Sequence, residues 1–157
     1  MSRMLLFLTL FSIAGVTAIA QQAAPSVVMA PASVDPVAAA LGALRAGQIQ
    51  TAEMQMALIT NPAAKLFVKA CIERASKDPK RAIQTVVGVI VQYPNDPEWT
   101  AKSELLSVML YLELGMLDAA DATARQIQMI YEGTAVAEKA TALRSKIEKL
   151  KKEMESK

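Results

Sequence analysis

Few side chains in this chain suit chemistry, and their spacing points away from a reaction. There is no histidine and a single cysteine, Cys71. The missing histidine removes the commonest general base and the commonest metal ligand. One cysteine allows no intramolecular disulfide and no thiolate metal spacing. A serine nucleophile would lack its usual base, and no glycine-rich phosphate loop is present. Asp118 and Asp121 lie three residues apart, and Glu98 and Glu104 stand near a turn. Paired carboxylates do acid–base work in some sites, but these sit beside expected helix starts, where negative charge stabilises the helix end. Cys71 falls mid-helix in Val68-Lys69-Ala70-Cys71-Ile72. It reads as a small buried hydrophobe. Alternatively, Lys69 and Arg74 lower its pKa and make it reactive, or the unpaired thiol bridges two chains. The sequence therefore predicts no enzyme, no metal, no cofactor and no small-molecule substrate.

Charge and aromatic content narrow the partners further. The formal net charge is +2, too small a field to recruit nucleic acid or an acidic surface over distance. Aromatics number three Phe, three Tyr and one Trp, and none is set among basic residues as a base-stacking platform requires. Nucleic acid is thus not an expected partner. Residues 1–20 have the pattern of a secretory signal: Arg3, then the apolar stretch Met4–Ala14, then small residues at Ala18 and Ala20 before Gln21. The expected location is periplasmic or secreted after cleavage near Ala20/Gln21. The alternative is an uncleaved membrane anchor, because Met4–Ala20 is 17 residues long, at the lower limit for a span.

The elements that must position any site are helices. Residues 21–34 are Ala- and Pro-rich without charge, and read as an extended lead. Four Asx-Pro pairs follow: Asp35-Pro36, Asn61-Pro62, Asp78-Pro79 and Asp96-Pro97. In each, the Asx side chain suits an N-cap and proline suits the first helical position, whose N–H has no helical partner. Gly47, Gly115 and Gly133 stand where helices should stop, and Thr134 suits the last cap. These marks predict seven helices, over 36–46, 48–60, 62–76, 79–93, 97–114, 117–131 and 135–155. Their short connections make neighbours antiparallel. The β-branched run Val86–Val91 is the one strand-like stretch, but Asp78-Pro79 starts it as a helix.

The helices repeat. Ala52, Ala82 and Ala120 follow inter-helix turns, each with apolar residues at +4 and +7, the spacing of one helix face. Gly47 and Gly115 precede two of these alanines by five residues, and Tyr93 and Tyr131 both end a second helix. On these residues the chain resembles the tetratricopeptide repeat family. Tyr111, Gly115, Ala120 and Ala124 match in the last pair. Ala70, Ala82 and Pro94 match in the middle pair, and Ala40, Gly47 and Ala52 in the first. The alanine spacings are 30 and 38, however, and Val108 stands where a small residue is usual. A plain helical bundle is the alternative. The expected fold is all-α: antiparallel helix–turn–helix repeats over 35–134, forming a short solenoid, with a polar C-terminal helix over 135–157.

The resemblance implies a groove lined by the first helix of each pair. It would hold Phe67, Cys71 and Arg74, then Lys102, Leu105, Met109, Leu112 and Glu113, a mixture suited to an apolar or amphipathic peptide or helix. Trp99 is either an exposed anchor or a staple of its own turn. In the last helix, Leu143, Ile147, Leu150 and Met154 recur at spacings of four and three. They form either a seam for a homodimer or the inner face of a cap. The expectation is a non-catalytic adaptor that binds another envelope protein. The alternative is a self-assembling structural component joined through 135–157.

Overall fold

The computed structural model describes residues 35–156. The signal and lead expected over 1–34 lie outside the described residues. The chain is all-α, with seven helices: α1 (Pro36–Arg45), α2 (Ile49–Ala57), α3 (Pro62–Ala75), α4 (Pro79–Gln92), α5 (Pro97–Glu113), α6 (Leu117–Ile130) and α7 (Ala135–Glu155). Each lies within three residues of its expected bounds. No described helix is long and apolar enough to cross a membrane.

The expected caps close the helix starts. The side chains of Asp35, Asn61, Asp78 and Asp96 accept hydrogen bonds from the backbone N–H groups of Val37, Ala64, Arg81 and Trp99. Each Asx is followed by proline in the first turn. Such a cap stabilises a helix by about 1 kcal/mol. Asn61 Nδ2 also donates to Asp96 at 3.2 Å, so the starts of α3 and α5 are tied to each other. Thr134 caps α7 in the same way, accepting from Ala137. The Val86–Val91 stretch is helical, and Val86 and Val89 are fully buried on the inner face of α4.

Three of the turns are one structure used three times. Gly47, Lys77 and Gly115 each adopt positive φ, at 74°, 63° and 71°. In each turn the next residue donates back five positions: Gln48 to Ala43, Asp78 to Glu73 and Met116 to Tyr111. This is the Schellman closure of a helix end. Counting from these three residues puts Ala52, Ala82 and Ala120 at the same place in the second helix, and Ala40, Ala70 and Val108 at the same place in the first. All six have 0 % exposure. The middle turn carries lysine where the other two carry glycine. The irregular spacing therefore comes from the lengths of the helices and connections, while the hairpin closure itself stays constant.

Antiparallel hairpins α1/α2, α3/α4 and α5/α6 pack in sequence, and α7 covers the open side of the last one. Each odd-numbered helix touches the next odd-numbered one, whereas α2, α4 and α6 touch only their sequence neighbours. The odd helices thus form an inner layer, all running the same way, and the even helices form an outer layer. Two apolar cores result. One joins hairpins α1/α2 and α3/α4 with the buried side of α5, and the other joins α5, α6 and α7.

The apolar spacing of α7 faces the second core. Ile147 has 0 % exposure and packs into the second core with Ala140 and Val108, so it is not available to a second chain and leaves the set expected for a seam. A cap facing α6 needs the same four-and-three spacing as a coiled coil. Buried Asp121 on α6 accepts from Arg125 at 2.8 Å and from Arg144 of α7 at 2.9 Å. Lys151 reaches Asp118 at 2.6 Å, and Gln128 donates to Thr141 at 2.7 Å. Leu143 is half-buried against the same core, and Met154 is exposed.

A left-handed conformation is costly for a residue with a Cβ. Replacing Lys77 with glycine is therefore expected to stabilise the protein by about 1 kcal/mol, whereas Gly47→Ala and Gly115→Ala should each destabilise it by a similar amount. Urea unfolding followed by circular dichroism checks this; a Lys77→Gly protein no more stable than the native one would contradict it.

Candidate groove of the inner layer

The inner layer presents one apolar face built by equivalent positions of successive helices. Leu41 and Leu44 of α1, Cys71 and Arg74 of α3, and Met109 and Leu112 of α5 stand six and three residues before the three closing turns. Between them lie two open clefts. The first, of about 490 Å³, is lined by Leu41, Leu44, Arg45, Phe67, Cys71, Arg74, Ala75 and Glu113. The second, of about 230 Å³, is lined by Arg74, Met109, Leu112, Glu113, Leu143, Lys146 and Leu150. They share Arg74 and Glu113, so the two clefts are halves of one trough running from α1 to α7. The shared pair is an ion pair between α3 and α5 where the two clefts meet, with Arg74 Nη2 2.6 Å and Nε 2.7 Å from Glu113 Oε1.

Of the residues expected in the groove, Phe67, Cys71, Arg74, Met109, Leu112 and Glu113 line the trough. Three do not. Trp99 is buried, because its ring packs on that of Phe67 at 5.5 Å between centroids while Lys102 Nζ sits 3.9 Å over it. It is therefore not an exposed anchor. Lys102 is spent on that ring and on Glu98, 2.6 Å away. Leu105 is half-buried against the second core, as Leu112 is, but it lines neither cleft. Leu41, Leu44 and Arg45 line the first cleft although they were not foreseen, because the first hairpin's groove side has no aromatic or charged landmark except Arg45. Leu143 and Leu150, expected in a seam, line the second cleft instead.

The titratable groups here are structural in character. Burial pushes the Cys71 thiol up to about 12, against a smaller opposing pull from Arg74. That environment suits a protonated, unreactive thiol. Burial raises the Glu104 carboxyl above its ordinary value while the Tyr131 hydroxyl pulls the other way, and one Glu104 oxygen is buried without a hydrogen-bond partner. Burial, the Glu104 charge and their hydrogen bond push Tyr131 up to about 12. Burial also opposes ionisation of Asp121, but the hydrogen bonds and charges of Arg144 and Arg125 outweigh it and hold the carboxyl below the usual range. Glu73, buried beneath Arg81 at 3.1 Å and hydrogen-bonded by Thr85 at 2.6 Å, ties α3 to α4. The sequence gives no sign of this role, since a glutamate in a helix ordinarily marks its solvent face. Among the described residues, no group of His, Cys, Asp and Glu is arranged to hold a metal ion.

The outer layer is different. Met54 and Leu58 of the first hairpin, Val87 and Val91 of α4, and Met129 and Ile130 of α6 are exposed one or two at a time. None of them lines either cleft of the inner face. No family model matches the chain, and no curated protein and no solved structure matches it either.

Two outcomes follow from these environments. Cys71 should alkylate with iodoacetamide at pH 8 at least about tenfold more slowly in the native protein than in urea; equal rates would contradict the buried thiol. Asp121 and Glu104 should act oppositely on stability. The depressed Asp121 pKa contributes stability that is present above the unfolded value of 3.8 and lost as pH falls through the folded value. The raised Glu104 pKa contributes stability below 4.5 that is lost as pH rises through the folded value. Glu104→Gln should therefore raise the urea midpoint at pH 7 and leave it nearly unchanged at pH 4, whereas a gain that is equal at both would contradict the assignment.

Proposed function

We propose that this protein is a non-catalytic adaptor with tetratricopeptide-like hairpins, exported from the cytoplasm, whose inner trough binds an apolar or amphipathic segment of another envelope protein. The observation that carries the reading is the trough itself. Residues from four helices, among them Leu41, Leu44, Met109, Leu112, Leu143 and Leu150, meet along one face and share the Arg74–Glu113 pair at its centre. An apolar surface gathered from equivalent positions of stacked hairpins presents anchors at regular intervals, which is the geometry of a segment laid in a groove. Leu41, Leu44 and Met109 pack on the first buried cluster, and Leu112 and Leu143 on the second, while each also lines one of the open clefts. The burial of Ile147 favours a cap over a dimer seam for α7.

A photoreactive phenylalanine analogue placed at Met109, in the trough, or at Ala122, on the outer face of α6, tests the reading in cells of the source organism. A covalent adduct with another protein from position 109 and none from position 122 is the expected result. Adducts only with a second copy of this chain would replace the adaptor with a self-assembling component, and equal labelling from both positions would remove the trough as the interface.

A further inference from the structure

The charges around the trough are unequal, and they specify what kind of segment fits it. Four charged side chains line the two clefts: Arg45, Arg74, Glu113 and Lys146. The one carboxylate is committed to Arg74 at 2.6 Å. Arg45 at the α1 end and Lys146 at the α7 end have no ion-pair partner among the described residues. Each half of the trough therefore combines an apolar wall with one unpaired, exposed cation. Resting on the adaptor reading above, we infer that the bound segment is acidic at its ends: a peptide with apolar side chains for the two clefts and carboxylates that meet Arg45 and Lys146.

The geometry sets its length. Packed helices lie 8–10 Å apart, so α1 and α7 are separated by about 24–30 Å across the inner layer, the reach of roughly eight extended residues. A segment carrying lysine or arginine at those places meets like charge at both ends of the trough, which excludes it more effectively than the apolar contacts alone. An acyl chain with a carboxylate head has similar chemistry at one end only. The clefts are open rather than enclosed, so such a chain would keep much of its surface in water, and a peptide backbone loses less there.

The test uses a random peptide library displayed on phage and selected on the purified protein, on Leu112→Glu, and on the double variant Arg45→Glu, Lys146→Glu. Both exchanged cations are exposed, and circular dichroism confirms that the helices persist. Selection on the native protein should enrich peptides that combine Leu, Met or Phe with Asp or Glu. The leading synthetic peptide should bind the charge-reversed variant about tenfold more weakly and lose affinity with rising salt. The reversed variant should select lysine- and arginine-bearing peptides instead. Peptides that Leu112→Glu abolishes but charge reversal leaves unchanged would overturn the charge inference and keep the groove. Peptides indifferent to Leu112→Glu would overturn the groove reading, and the inference with it. Saturable oleate binding that needs Arg45, without selection of acidic peptides, would assign the cation to a fatty-acid head and overturn the peptide.

Discussion

How closely the two helices of each hairpin approach decides the rest of the arrangement, and alanine sets that distance. Ala52, Ala82 and Ala120 have no exposed surface, and Ala40 and Ala70, at the equivalent place in the first helices, have none either. A methyl group at these points lets two helices pack near the short end of the ordinary interaxial range. A larger side chain there without a compensating change on the partner helix would force side chains off their rotamers, at a cost of about 1–3 kcal/mol. The last hairpin shows the tolerance of the design. Val108 occupies the first-helix position, still fully buried, and Ala124 stands where Val86 and Met56 stand in the other two second helices. The larger Val108 and the smaller Ala124 belong to the same buried cluster.

Close hairpins then leave the larger side chains two places to go. Some fill the space between layers: Val68, Val86, Val89, Leu110 and Ile127 are buried there. Others, at the positions before each closing turn, point along the inner layer and remain part exposed. The trough is thus a consequence of stacking, with its floor supplied by the odd helices. The Arg74–Glu113 pair spans α3 and α5 at the surface. An exposed ion pair contributes little to stability, so its weight lies in fixing the polarity of the trough's centre. At the end of the stack, α7 supplies the polar outer face that an array of hairpins needs to stay soluble, held by the clasp of Asp121 with Arg144.

The order of the helices was legible because the chain marks it locally. An Asx-Pro pair has one economical use, as cap and first residue, and four such pairs open helices here. The inner positions of the second helices were legible from alanine and apolar spacing. What the sequence hid has physical causes. Lys77 closes a turn in a left-handed conformation, but lysine carries no signature of that backbone, so the middle hairpin lacked its landmark. Trp99 stands in a first turn rich in polar residues, and only tertiary contact with Phe67 shows it as buried. The α7 spacing suited both a cap and a dimer seam, because both use the same helix face. The trough was half legible: Met109 and Leu112 followed from the repeat, while Arg45 and Lys146 lie on the end helices, where the repeat pattern is weakest.

The most direct test of the trough as the binding face is methyl NMR of the protein labelled at Leu, Val, Ile and Met, titrated with the partner segment recovered by crosslinking. The account predicts shift changes at Leu41, Leu44, Met109, Leu112, Leu143 and Leu150, with Val87, Val91, Met129 and Ile130 of the outer layer unmoved. Changes confined to those outer methyls would contradict it and place recognition on the opposite face of the stack.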